Sequence, residues 1–505
     1  MGRAVRENEG ETKVSEYTRR DFLKTAGLAG AALAVPGKLA GMTPAGQRQA
    51  SPTATGPGGK RKKVIVVGAG LAGLVAGYEL DQAGHEVTIL EAQLRPGGRV
   101  LTLRAPFSDG LYAEAGASRI PNTHDLTIRY AHEFQLKLVP FYPASGQYVN
   151  QIAGERLLGK LGAASHWPVA LTAEEQRLGR AGMWQKYALS AAKQLGNPAA
   201  PGWSPKPFAS LDGVTFTRFL RQQGASAAAV RVMTLGMDYD GASALRILAD
   251  LAVNGNVTEN YKIGGGNDQL PRAMAQRLST RIHYGAMLQR IEQDRSGVRA
   301  FFLQGNLVHQ SEADHLICTI PFPVLQRVQF QPPLSDERLN AIDSTHYLSA
   351  TVLFFQEERR YWQADGLNGF ALSDWPVAVS QPTFDQTDPR GILAATLTGS
   401  IALREAGLPE DRRISTVLNE METLFPGARE NFEGGVSKAW NNDFWAKGAM
   451  QWFRPGQMIE FWPYMASPVG RVHFGGEHTS PWPGWMQGAI HSGLRTAREV
   501  QEAAS

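Results

Sequence analysis

The run of residues 63–99, KVIVVGAGLAGLVAGYELDQAGHEVTILEAQLRPGGR, constrains the fold more than any other stretch of the chain. Val64, Ile65, Val66 and Val67 form an apolar, β-branched run too short for a helix, as expected of a strand buried on both faces. Gly68, Gly70 and Gly73 follow with the spacing G-x-G-x-x-G, and Leu71 and Ala72 fill it. Such a turn brings a bare backbone and a helix N-terminus to a pyrophosphate and packs the helix tightly on the strand. The pattern predicts a helix over about 72–82, a stop at Gly84, and a second strand over 86–90 that ends at Glu91. A carboxylate there accepts hydrogen bonds from ribose hydroxyls and favours a free 2′-OH over a phosphate. The expected fold class is therefore α/β, with a Rossmann-like dinucleotide-binding domain.

At 505 residues the chain predicts two or three packed subdomains. Its formal net charge of +4 lies in the leader: residues 1–60 hold nine Lys+Arg against five Asp+Glu, which leaves 42 of each sign beyond them. That balance gives no basis for a nucleic-acid partner. Within the leader, Thr18-Arg19-Arg20-Asp21-Phe22-Leu23-Lys24 and the mild apolar run 25–36 resemble a twin-arginine export signal. The run is too short and too rich in Gly and Ala for a stable membrane span, so the protein is expected in the periplasm or outside the cell. Residues 43–62 read as a disordered linker. The single Cys318 excludes an intramolecular disulfide.

Three separated segments carry a family resemblance. After Glu91 and Ala92, the sequence Arg95-Pro96-Gly97-Gly98-Arg99 resembles the R-x-G-G-R segment of the flavin amine oxidase superfamily. Residues 261–271, YKIGGGNDQLP, resemble the segment that returns the chain to the FAD domain, and the strand expected over 282–291 places Leu288 at the adenine position. Residues 472–479, VHFGGEHT, and 484–495, GWMQGAIHSGLR, resemble the third FAD segment. There Glu477 matches the carboxylate of the ribityl and pyrophosphate region, and Gly484, Trp485, Met486, Gln487, Gly488 and Ala489 match the helix start that meets the flavin. Gly116, Ala117, Ser118 and Arg119 match the small-residue segment beside the isoalloxazine, which in the L-amino-acid oxidases ends in an arginine.

The resemblance implies a glutathione-reductase-like FAD domain from residues 61–115, 262–328 and 436–505, and a mixed-sheet substrate domain from 116–150 and 329–435. Residues 151–261 read as a helical insertion behind the signal and linker of residues 1–60. FAD is implied as the cofactor, and oxidative deamination of L-amino acids as the reaction. A hydride passes from Cα to flavin N5, water converts the imine to a 2-oxo acid and ammonia, and dioxygen leaves as hydrogen peroxide. Arg119 is expected to clamp the substrate α-carboxylate, with Trp482, Gly484 and Trp485 as pocket wall. Trp485 joins Arg119 as the residue closest to the chemistry.

Two departures accompany the resemblance. Val352 stands where many members have a lysine that holds a water and assists the reaction with oxygen. The tyrosine that helps hold the carboxylate in eukaryotic L-amino-acid oxidases has no clear match, and Gln381 lies near its place. Ala449 replaces the cysteine that attaches flavin in monoamine oxidases, so FAD is expected without a covalent link. His346, His473, His478 and His491 lack metal-ligand spacing, so no metal is expected. Rival readings are an amine oxidase or dehydrogenase acting on non-carboxylated amines with a protein electron acceptor, a non-redox flavin isomerase, and a silent FAD-binding protein. The oligomeric state stays open, a homodimer among the options.

Overall fold

The computed structural model describes residues 61–503 except 165, 376, 381–382 and 387–388, so the export signal and Gln381 lie outside the described residues. Five parallel strands, Lys63–Val67 (β1), Glu86–Glu91 (β2), Ile282–Tyr284 (β3), His315–Cys318 (β4) and Val472–Phe474 (β5), make one sheet in the order β3-β2-β1-β4-β5. Helix α1, Leu71–Gln82, starts one residue before the predicted position. Gly73 explains why helix and strand can meet so closely, since a Cβ there would stand 1.9 Å from the Gly68 carbonyl oxygen. Val64, Val66, Ile89 and Ile317 of the sheet share one core with Leu74 and Val75 of α1 and Ile490 of the C-terminal helix Met486–Glu502.

One expected strand is two. Gly285, at φ +71°, breaks residues 282–291 into β3 and the separate strand Ala286–Gln293. The second piece joins a four-stranded sheet with Val298–Gln304, Leu307–Ala313 and Gln329–Gln331, and a bulge interrupts its pairing between Leu288 and Arg290. A positive φ is cheap only for glycine, which is why the chain changes sheets at that residue.

A seven-stranded mixed sheet is the largest among the described residues. Its order is Phe432–Ala439, Ala350–Glu357, Gly391–Thr398, Val377–Ser380, Leu367–Ser373, Gln147–Ile152 and Glu155–Gly159. The boundary expected at residue 151 therefore cuts a hairpin strand of this sheet, and the helices run from Ala173–Trp184 to Ala244–Asn254 (α2). The α2 sequence ALRILADLAVN is buried along almost its whole length, and Arg246 and Asp250 are carried in with it. Lys62, read as linker, is buried: its Nζ donates to the carbonyls of Val500 and Ala503 at 2.6 Å each. A cation at the carbonyl end of a helix satisfies acceptors that have no intrahelical partner.

Candidate active site

A cavity of about 520 Å³ runs along the carboxyl ends of β1 and β2, where ligands of open α/β sheets bind. Gly68, Gly70, Leu71, Ala72, Glu91, Ala92, Gly98, Arg99, Gly116, Ala117, Ser118, Leu288, Glu477, Gly484, Trp485, Met486 and Ala489 line it. At Gly70 a Cβ would meet nothing within 4 Å, so the backbone there faces open space at the start of α1. Glu91 is buried, and its two oxygens accept from the N–H groups of Ala69 at 2.6 Å and Gln93 at 2.7 Å. Those bonds fix the carboxylate and leave further lone pairs for hydroxyls. A glycine cradle at one helix start, a fixed carboxylate 22 residues from Ala69, and an apolar strand at Leu288 suit pyrophosphate, ribose and adenine. The residues present fit FAD.

Gly73, Gln487 and Gly488 are not among the lining residues, for geometric reasons. Successive helical residues are about 100° apart, so Met486 and Ala489 share the cavity face while the two between them turn away. Gln487 accepts from the Thr127 N–H at 3.1 Å and donates to Asp125 at 2.7 Å. A Cβ on Gly488 would lie 2.0 Å from the Trp482 carbonyl oxygen. Trp482 is not on the wall either; its ring packs on His491, with centroids 5.2 Å apart.

Arg99 and Glu477 meet on the cavity wall, Nη1 to Oε1 at 2.6 Å. Glu477 Oε2 accepts from the Gly484 N–H at 2.6 Å. Burial opposes ionisation of Glu477, but the Arg99 charge, reinforced by the Gly484 N–H, outweighs it and holds the carboxyl below its ordinary range. His478, next in sequence, is pushed down to about 3 by burial, and His124 and His491 to about 4. All three are neutral at pH 7, and no group of three or more potential metal ligands occurs among the described residues.

At the substrate end Arg119 is only 9% exposed and does not itself line the cavity. Its guanidinium lies over the rings of Phe141 and Trp485, at 5.8 and 5.7 Å, and both rings line the wall. Arg119 Nη1 donates to the Tyr142 hydroxyl at 3.2 Å. Tyr142 thus supplies a buried phenol beside Arg119, a pairing that no local spacing in the sequence signals.

Glu114, Lys262, Arg327 and Asp443 are ionisable wall residues that escaped the sequence reading. Glu114 is pushed up to about 7 by burial, partly offset by the N–H of Asn267 and the hydroxyl of Thr102. Lys262 is buried, with its Nζ 2.7 Å from Asp385 and the rings of Tyr112 and Phe384 beside it. The available signal was a lysine between Tyr261 and Ile263 in the short strand Asn260–Ile263. Val352 lines the same wall.

The model of the flavin-containing amine oxidoreductases matches residues 71–501, and that of the twin-arginine translocation signal matches residues 16–36. YobN of Bacillus subtilis (strain 168), whose name assigns L-amino-acid oxidase activity provisionally, is 35% identical over 87% of this chain and 94% of its own length. The L-amino-acid oxidase of Naja atra is 29% identical over 88% of each. Among solved structures, a putrescine oxidase double mutant superposes with a TM-score of 0.75 at 23% identity, over 87% of this chain and 99% of its own. Cyclohexylamine oxidase from Brevibacterium oxydans IH-35A gives 0.74 at 22%, over 88% and 99%. The leader marks the protein for export across a membrane, and no helix among the described residues is long and apolar enough to span one. The glycine cradle, the fixed Glu91 and the match over residues 71–501 lead to one conclusion: the chain belongs to the flavin-containing amine oxidoreductases and is an FAD-dependent enzyme.

Proposed function

We propose that the protein oxidises L-amino acids to 2-oxo acids, with water and dioxygen consumed and ammonia and hydrogen peroxide released. The observation that carries this reading is Arg119, buried behind the Phe141 and Trp485 walls with the Tyr142 hydroxyl at 3.2 Å. A guanidinium kept at an apolar wall favours ligands that bring an anion to it. Bound FAD supplies the hydride acceptor and the route of electrons to dioxygen. A carboxylate bound against the Phe141 and Trp485 rings would draw on the Arg119 charge behind them, with Tyr142 holding that guanidinium, and Trp485 and Phe370 would exclude water from the reacting carbon. The names of YobN and the Naja atra enzyme support the same substrate class. A panel of L-amino acids and their decarboxylated amines, scored for flavin bleaching without oxygen and for peroxide with it, tests the reading. Outright preference for the amines overturns it.

FAD is held without a covalent link in this reading. Cys318 is 1% exposed within β4, does not line the cavity, and burial pushes its thiol up to about 12. Ala449, expected at the position of the flavin-attaching cysteine of monoamine oxidases, lines the cavity. Acid precipitation is expected to leave a colourless pellet and a yellow supernatant; flavin in the washed pellet contradicts this.

Val352 leaves the wall without a cation at that point, so electron transfer to dioxygen is expected to be slower than substrate oxidation. Stopped-flow traces in air-saturated buffer should show the reduced form accumulating, and an artificial acceptor should raise turnover. Reoxidation faster than reduction removes the significance given to Val352.

A further inference from the structure

The turn of Pro483, Gly484 and Trp485 is gripped at each of its residues. Arg246 Nη2 donates to the Pro483 carbonyl at 3.2 Å, the Gly484 N–H donates to Glu477 at 2.6 Å, and the Trp485 indole Nε1–H donates to Asp250 at 3.2 Å. Two of these grips come from α2, in the insertion, which contributes no residue to the cavity wall. Arg246 and Asp250 have side chains only 3% and 6% exposed, yet their own N–O separation is 3.7 Å. Their shorter contacts reach across to the turn instead.

That choice of partners needs a reason. A buried ion pair is weak as a stabiliser, and apolar side chains of similar volume would serve packing at least as well. What the pair supplies and apolar residues cannot is direction, because a carboxylate accepts the indole N–H along defined lone pairs.

We propose that Asp250, backed by Arg246, is a positioning residue that sets the plane of the Trp485 indole and so the place of the Arg119 guanidinium stacked on it. The same helix supports the ring from another side. His124 meets Trp485 edge-on, with centroids 4.9 Å apart at 83°, and His124 Nε2 is 2.8 Å from Asn254 Oδ1. Asn254 Nδ2 donates to the Asp250 carbonyl at 2.8 Å, so its Oδ1 is the acceptor and His124 Nε2 carries the proton. Burial keeps that imidazole neutral, which leaves Arg119 as the cation on the ring. A helix with no residue on the cavity wall thereby fixes one wall of the substrate end.

This deepens the amino-acid reading and rests on it for the role of Arg119. The test is a double-mutant cycle on FAD-loaded enzyme, using D250L, D250N, W485F, D250L/W485F and D250N/W485F, with kcat/KM measured for L-phenylalanine and phenethylamine. D250L is expected to lose about 10- to 100-fold on the better substrate, the range for a lost hydrogen bond to a charged group. In the W485F background, where no indole N–H remains, the same change should cost less than about 3-fold. D250N keeps an acceptor oxygen and should stay within about 3-fold of wild type. Equal losses in both backgrounds, or D250N as poor as D250L, overturn the proposal. Preference for phenethylamine overturns the amino-acid reading instead and leaves the cycle interpretable. Should D250L not fold, the Trp485 Nε1–H resonance in 15N-indole-labelled enzyme, assigned by its loss in W485F, carries the test. Exchange slowed to hours supports the Asp250 bond, and exchange within minutes overturns it.

Discussion

Replacing Arg119 with alanine is expected to lower kcat/KM for L-amino acids by roughly 30-fold to several thousand-fold, while the matching primary amines lose far less. The range follows from the cost of truncating one partner of a desolvated charge pair, about 2–5 kcal/mol, at about 1.4 kcal/mol per tenfold. The structure sharpens the expectation. Arg119 is 9% exposed and held by Tyr142 and two aromatic faces, so its position is set before substrate arrives. Little of the contact with a carboxylate is then spent on ordering the side chain. Tyr142→Phe should show a smaller loss in the same direction, because it removes one hydrogen bond accepted from the guanidinium and leaves the charge itself in place. L-phenylalanine against phenethylamine, and L-leucine against isopentylamine, are the comparisons to make. Equal losses for acid and amine would make Arg119 a residue of structure or of the cofactor site.

How much of this was legible in the sequence depends on how locally each feature is encoded. The β1 turn and α1 are local, because glycine spacing and β-branched residues dictate them, and the structure differs from expectation by one residue at the helix start. The three-segment sheet was legible only through resemblance, since nothing in residues 472–474 says which strand they pair with; β4 is the answer. Motif text misleads where it is read as a continuous row. Met486 and Ala489 line the cavity and Gln487 and Gly488 do not, because the row is wound on a helix. Tyr142 and Asp250 were illegible for another reason. Each acts on a residue far away in sequence, Arg119 or Trp485, and its own neighbours carry no motif. The one available signal was a pair of opposite charges four apart on the apolar helix ALRILADLAVN, a pattern costly to bury without partners elsewhere.

Breaking the Arg99–Glu477 pair is the second change of large expected effect, and its signature is non-additivity. Both side chains lie on the cavity wall at 2.6 Å, and Glu477 also holds the Gly484 N–H while Arg99 donates to the Ala449 carbonyl at 3.0 Å. Removing Arg99 leaves the buried Glu477 carboxylate, and removing Glu477 the half-buried Arg99 guanidinium, without its counter-ion, which typically costs about 3–5 kcal/mol for a buried charge, whereas replacing both by apolar groups is often close to neutral. Arg99→Met and Glu477→Met should therefore each destabilise the protein by about 3–5 kcal/mol and release FAD on gel filtration, and the double variant should be more stable than either single. Unfolding followed at several probes checks this, since a chain of several subdomains need not unfold in one step. The pH dependence has a defined sign. Arg99 and the Gly484 N–H hold the folded Glu477 carboxyl below its unfolded value despite burial, so its contribution is complete above the ordinary carboxylate range. It is lost as pH falls through the lowered folded value. Wild type should accordingly lose flavin on acidification below about pH 4, where unfolded carboxylates take up protons, and the Glu477→Met variant should show a flatter acid limb. Single variants that add to the double would mean that the two side chains act separately, with Glu477 serving the Gly484 turn alone.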